Sequence, residues 1–168
     1  MRRTAKALVL AGASTLWLAG APAPARAGDA STDVRAATER LLASGSTGPG
    51  EVHEALRRLL DITASLGREA RLPAPVQAKL DAASAQARRL SPLDERARAA
   101  VDEAYKAMSV GRAFAFPATV GSIEQAKAYG RAQVDRSLAA LAAGRSEEAV
   151  RELLGFVLLV VTPMEAKP

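Results

Sequence analysis

The single histidine of the chain is the first candidate for chemistry, because it lies among carboxylates in a helical segment. His53 stands between Glu51 and Glu54 in the stretch EVHEALRR. A helical zinc-protease motif would place a second histidine at position 57, where the chain has Arg57. A di-iron bundle would need a glutamate at position 50, which is Gly50. His53 is thus a weak candidate metal ligand, and a metal-handling protein or enzyme centred on it is an alternative hypothesis.

Beyond His53, the sequence lacks the motifs of common catalytic and cofactor-binding sites. With no cysteine, it has no disulfides, thiolate nucleophiles or cysteine metal sites. It has no G-x-S-x-G nucleophile elbow, phosphate-binding loop or dinucleotide fingerprint, and one histidine would have to serve any Ser-His-Asp triad. Acidic pairs such as Asp94-Glu95 point roughly 100° apart on a helix and do not converge for acid–base catalysis. We expect a protein that is not an enzyme and needs no cofactor.

An aromatic segment is the most plausible binding feature. Phe114 and Phe116 lie in GRAFAFPATVG, residues 111–121, and Tyr105 and Tyr129 flank it closely. The segment is a longer connection than helical bundles usually have, and long ordered loops are often functional. Two phenylalanines spaced two residues apart point the same way in an extended chain.

Two interpretations of this segment remain open. Phe114 and Phe116 could close the end of a core that alanine-rich helices leave thin, since buried phenylalanine is the usual case. Alternatively, the rings could form a partly exposed clamp for a protein, a peptide or a small apolar ligand. Arg112 beside them would then supply a cation–π or anion contact.

The N-terminus has the pattern of a secretory signal peptide. A positively charged start precedes an apolar run over residues 7–19, and Ala25-Arg26-Ala27 forms an A-x-A cleavage site. The early positive charges are Arg2, Arg3 and Lys6. We expect a Sec-type signal over residues 1–27 and a single domain over residues 28–168, located in the bacterial periplasm or secreted. An uncleaved N-terminal anchor is the alternative.

Cleavage would change the charge of the protein. The four cations Arg2, Arg3, Lys6 and Arg26 would be removed, which lowers the net charge from +5 to +1. No sustained basic arm remains to contact phosphates, so we expect no nucleic-acid binding.

The apolar spacing of residues 28–168 is helical nearly throughout and predicts an all-α fold, a five- to six-helix antiparallel bundle. We expect the first helix to start near Ser31 or Thr32 and the second to stop at Gly67. Residues 155–161, GFVLLVV, are apolar on every side, which predicts a helix buried on all faces. A strand is the alternative there. Seven residues cannot span a membrane, so we expect no stable transmembrane segment after cleavage.

Capping residues predict where the fourth and fifth helices begin. Ser91, followed by a proline, is expected to cap the fourth helix, with Leu93 on its buried face. Ser122 and Gln125 have the spacing of a capping box for the fifth helix, with Ile123 on the buried side. Residues 164–168 are expected to fray.

The last hairpin, SLAALAAGRSEEAVRELLGFVLLVVTP, resembles the second half of a tetratricopeptide repeat. The similarity lies in Gly144, Glu148-Ala149 and a closing Pro163, which is further from Ala149 than in that repeat. It covers one hairpin, and no second copy occurs at a 34-residue spacing. It implies a further alternative, a helical-repeat-like adaptor that docks a partner through this hairpin and leaves residues 155–161 incompletely buried. The main hypothesis is an exported, non-enzymatic bundle that acts by binding or packing.

Overall fold

The structure is a computed structural model that describes residues 27–43 and 48–163. This part of the chain contains six helices and no strands, so the predicted all-α helical bundle is confirmed. The helices are α1 (Ala27–Leu42), α2 (Pro49–Glu69), α3 (Ala74–Arg89), α4 (Glu95–Met108), α5 (Ile123–Ala142) and α6 (Ser146–Val161). The predicted signal peptide and the predicted frayed tail lie outside the described residues, apart from Ala27, and stay predictions.

Helix α6 lies at the centre of the bundle. It packs against α2, α4 and α5, and every residue from Leu153 to Leu159 is buried. The helix predicted over residues 155–161 is confirmed, and the strand alternative is wrong. An apolar residue on every face of a helix requires neighbours on every side, which three helices alone do not provide.

A connection lies beside the C-terminal part of α6, where Phe114 and Leu158 line the same groove. Helices α4 and α5 both pack on α6. Residues 109–122, which we call the strap, join α4 to α5 at this place, and Phe114 and Phe116 of the strap pack against the hydrophobic core. Helix α1 packs on α2 and α5, and α3 packs on α2 and α4.

The predicted start of α4 is wrong by one turn. The helix begins at Glu95, and its N-cap is Asp94, whose carboxylate accepts a hydrogen bond from the Arg96 N–H at 2.9 Å. The Ser91 hydroxyl instead accepts from the Leu93 N–H at 3.3 Å, in the turn before the helix. Leu93 therefore lies outside the helix and is 46% exposed, contrary to the prediction that it is buried.

Two more expectations are corrected. Helix α2 continues past Gly67 to Glu69, because Gly67 serves close packing: a side chain there would lie 2.7 Å from the Leu80 side chain of α3. Ile123 is 67% exposed, since the first turn of α5 extends beyond the core and burial of α5 begins only at Gly130.

The first helix also starts earlier than predicted, at Ala27 instead of Ser31. The capping interaction at Ser122 is confirmed, with its hydroxyl accepting from the Gln125 N–H at 3.2 Å. None of the helices described is long and apolar enough to cross a membrane.

Candidate functional site

Three of the five predicted binding residues form one aromatic cluster. The Tyr105 and Phe114 ring centroids lie 6.0 Å apart at an interplanar angle of 81°. Phe114 and Phe116 are 5.6 Å apart at 71°. Both pairs are edge-to-face, an arrangement that aligns the positive edge of one ring with the negative face of the next. All three side chains are partly buried and pack against the core, and their role in binding stays a prediction.

The end of α4 turns the chain so that the strap runs back along the same helix. Val110 adopts a φ of 53° and Gly111 a φ of 77°, and the Gly111 N–H donates to the Lys106 carbonyl at 2.9 Å. This bond closes a Schellman-type helix end. The reversal places Phe114 beside Asp102, whose Oδ1 accepts from the Phe114 N–H at 3.5 Å, a long hydrogen bond.

A charge network connects this anchor to α3. Asp102 Oδ2 lies 2.7 Å from Lys106 Nζ, and Glu103 contacts both Lys106 and Lys79 at 3.3 Å. Hydrogen bonds from Lys79 and then Lys106 lower the pKa of Glu103, and hydrogen bonds to Asp102 and then Glu103 raise the pKa of Lys106. These groups are partly or fully exposed to solvent, so the ion pairs add little stability.

An open groove of about 520 Å³ borders the cluster. It lies between α4, the strap and the C-terminal end of α6. Its lining residues are Glu95, Arg98, Ala99, Asp102, Ala113, Phe114, Leu158, Thr162 and Pro163. The lining thus combines the Phe114 ring and Leu158 with charges of both signs from α4. A groove with apolar walls and a few polar groups suits a small apolar ligand or a peptide side chain.

The two other predicted residues lie apart from the ring cluster. Arg112 is exposed and has no ring contact or ion pair with any residue of the described ranges. Tyr129 of α5 has a cation–π contact of 5.7 Å with Arg136, which also pairs with Glu152 of α6 at 3.0 Å. A role for Arg112 toward a ligand stays a prediction.

A buried amide that sequence reasoning missed lies next to the cluster. Gln133 of α5 is only 5% exposed. A Cβ atom built on Gly155 of α6 would lie 2.6 Å from Gln133 Nε2 and 3.5 Å from Tyr105 Cε2, so the amide and the Tyr105 ring edge meet over bare α6 backbone. The sequence held a signal for it, since position 133 follows Gly130 by three residues and shares its buried helix face.

His53 is paired with a hydroxyl and not with its neighbouring carboxylates. Its Nε2 lies 3.2 Å from Ser91 Oγ, and Glu54 pairs instead with Arg57 at 4.0 Å. Residues 27–43 and 48–163 contain no group of three or more His, Cys, Asp or Glu side chains that could hold a metal ion. The metal or enzyme hypothesis therefore gains no support from this geometry and stays a prediction.

The C-terminal hairpin offers little free apolar surface. Arg145 N–H donates to the Ala140 carbonyl at 2.8 Å around Gly144, which has a φ of 72°, and the Ser137 hydroxyl donates to the Ala149 carbonyl at 3.1 Å. Of residues 155–161 only Val160 is partly exposed. The adaptor hypothesis requires this run to be incompletely buried, so the burial does not favour it.

A second groove, of about 620 Å³, lies between the end of α2 and the turn from α5 to α6. It has no aromatic residue. Its charged lining residues are Glu69, Arg145, Glu147, Glu148 and Arg151. Because both signs alternate there, the groove attracts neither anions nor apolar groups strongly, and it provides a comparison site for ligand experiments.

The fold and the site therefore define an all-α bundle in which two phenylalanines of the strap pack against the core. No protein-family model, curated protein or solved structure matches this chain.

Proposed function

We propose that the chain is an exported, non-enzymatic helical-bundle protein that binds an apolar group in the groove beside the strap. The observation that carries the proposal is the partly exposed aromatic cluster of Tyr105, Phe114 and Phe116, of which Phe114 lines the open groove of about 520 Å³. The ligand would be a peptide side chain of a partner protein or a small apolar molecule. The periplasm or the exterior of a bacterial cell would be its location, on the strength of the N-terminal sequence pattern.

The physical argument is that the site is arranged before a ligand arrives. The rings already contact one another edge to face and rest on the core, so binding orders few side chains. A small ligand that removes about 200 Å² of apolar surface from water gains about 5 kcal/mol. Because association itself costs at least about 4 kcal/mol, little of this gain remains, and a dissociation constant weaker than about a millimolar is expected for a fragment. A larger partner would add contacts outside the groove.

The first prediction follows from this weak affinity. Indole titrated into ¹⁵N-labelled protein should shift the amide resonances of Ala113, Phe114 and Leu158 more than those of Gly144 to Arg151 at the charged groove. Two-dimensional NMR detects such weak binding directly. Shifts spread evenly over the surface, or none at all, would contradict the proposal.

Variants test whether the resonance shifts caused by indole depend on the aromatic rings of the strap. Phe114→Leu removes the ring but keeps an apolar side chain, so it should weaken indole binding while the fold is retained. Ile123→Ala is the matched control, because it truncates an exposed apolar residue away from the cluster and should leave binding unchanged. The double change Phe114→Ala and Phe116→Ala tests the alternative role. A loss of several kcal/mol of stability together with unaltered indole shifts would show that the rings serve only the core.

A further inference from the structure

Two buried polar atoms near the strap have no hydrogen-bond partner among the described residues, the Ser109 hydroxyl at the end of α4 and the side-chain oxygen of Gln133 on α5. The Gln133 side chain is 5% exposed, and its Oε1 is buried without a hydrogen-bond donor from any residue that the structure describes. Buried amide oxygens are nearly always paired, because an unpaired one loses its hydrogen bonds to water and gains nothing in return. Such an oxygen is a ready acceptor for a ligand.

The position of this amide ties it to the aromatic cluster. Gly155 leaves the α6 backbone bare, and Gln133 Nε2 and Tyr105 Cε2 both reach the spot where its side chain would be. Tyr105 in turn contacts Phe114 edge to face. The Gln133 side chain is therefore separated from the strap by one residue, Tyr105.

The strap contacts α4 at three places. The Gly111 N–H donates to the Lys106 carbonyl at 2.9 Å, the Phe114 ring contacts Tyr105, and the Phe114 N–H donates to Asp102 at 3.5 Å. At its start, Val110 holds a φ of 53°, a conformation that is strained for a β-branched residue. The Val110 side chain is 94% exposed and adds no packing in compensation. The strap therefore combines a strained start at Val110 with rings that rest on the core.

We infer that the ligand of the strap site is a flat apolar ring that carries an N–H or O–H donor. Its ring packs against the Phe114 ring of the strap, and its donor hydrogen-bonds to Gln133 Oε1. The inference rests on the proposed function and adds the chemical class of the ligand. A ring without a donor would leave the buried oxygen unpaired and would bind less tightly.

The experiment compares two rings of nearly the same shape. Indole has one N–H donor, and benzothiophene has a sulfur atom in its place. Titration of the whole protein by NMR should give a dissociation constant for indole about tenfold lower than that for benzothiophene. In Gln133→Met, which keeps the chain length but has no amide, the two constants should become equal through weaker indole binding.

A matched control is present in the same molecule. Gln77 of α3 also has a buried Oε1 without a partner among the described residues, but it lies at the contact with Gly67 of α2. Gln77→Met should leave the preference for indole unchanged. This variant separates an effect at the strap from a general effect of removing a buried amide.

The outcomes distinguish the two proposals. Equal binding of indole and benzothiophene by the unaltered protein overturns this inference and leaves the proposed function standing. A preference for indole that persists in Gln133→Met also overturns it. If neither ring binds at the strap, the proposed function fails as well. The comparison in the unaltered protein needs no variant to fold.

Discussion

At the scale of single residues, the same left-handed backbone conformation occurs at three helix ends in three different residue types. Helices α2, α4 and α5 each end in a residue with positive φ: Arg71 at 53°, Val110 at 53° and Gly144 at 72°. In each case the next residue donates a backbone hydrogen bond to a carbonyl five residues earlier. Glycine adopts this conformation without strain, whereas a side chain at Cβ crowds the neighbouring carbonyl. Val110 is the least suited of the three, because it is β-branched.

Replacing Val110 by glycine should stabilise the protein. Relief of the strain is worth about 1–2 kcal/mol, and the greater freedom of glycine in the unfolded chain returns about half of that. We expect the free energy of unfolding to rise by about 0.5–1 kcal/mol, because an exposed valine gives up no packing. Urea denaturation measures the change.

The control is Val120→Gly in the same strap. Val120 has no positive φ, so this variant should lose stability through chain entropy. A loss of stability in both variants would show that Val110 is not strained in solution. The backbone conformation at the start of the strap would then cost less free energy than the φ of Val110 suggests.

At the scale of helices, the packing of α5 on α6 depends on a glycine. A Cβ atom on Gly130 would lie 2.9 Å from Phe156 Cε2 and 3.0 Å from Leu159 Cδ2. Phe156 is fully buried and cannot turn away into solvent. The two helices therefore approach closely because one of them lacks a side chain at the crossing.

Gly130→Ala should lower the free energy of unfolding by about 1–2 kcal/mol, because the cost of overpacking exceeds the gain in helix propensity. Gly50→Ala is the matched control, since Gly50 lies in α2 with no atom within 4 Å of the added Cβ. That change should raise stability by roughly 0.5–1 kcal/mol. Thermal unfolding followed by circular dichroism compares both with the unaltered protein, and equal effects would contradict a tight α5–α6 crossing.

Helix number and the central place of α6 could be predicted from the sequence, because apolar periodicity reports which faces need cover. The residues at which the helices begin were harder to predict from the sequence. Ser91 and Asp94 are both good N-cap residues three positions apart, and a tertiary contact of Ser91 with His53 at 3.2 Å accompanies the choice of Asp94. Such contacts join segments distant in sequence, so local patterns do not contain them.

Part of the candidate site could likewise be predicted from the sequence, and part could not. Phe114, Phe116 and Tyr105 were predicted together, because aromatic residues are few and concentrated in this part of the chain. Their edge-to-face contacts depend on the turn at Val110, which no local rule favours. Gln133 was missed, since its importance arises from Gly155, a residue of another helix that leaves space above it.

At the scale of the whole molecule, the described core begins just after the predicted cleavage site. Ala30 and Val34 of α1 are already buried, and α1 packs on α2 and α5. Loss of residues 1–27 would remove only Ala27 from the described part of α1 and would leave these contacts intact. The fold is thus compatible with a protein that acts without its first 27 residues, with a net charge of +1.

The predicted processing can be tested by expression in a Gram-negative bacterium followed by fractionation. We expect the periplasmic fraction to contain a chain that starts at Gly28, as measured by intact mass and N-terminal sequencing. Signal peptidase requires small residues at the first and third positions before the cut, here Ala27 and Ala25. Ala27→Leu should therefore abolish the chain that starts at Gly28, whereas Ala23→Leu, which leaves both positions intact, should not. A membrane-bound protein that keeps residues 1–27 would instead establish the anchor alternative, and the bundle would then act at a membrane surface with the full net charge of +5.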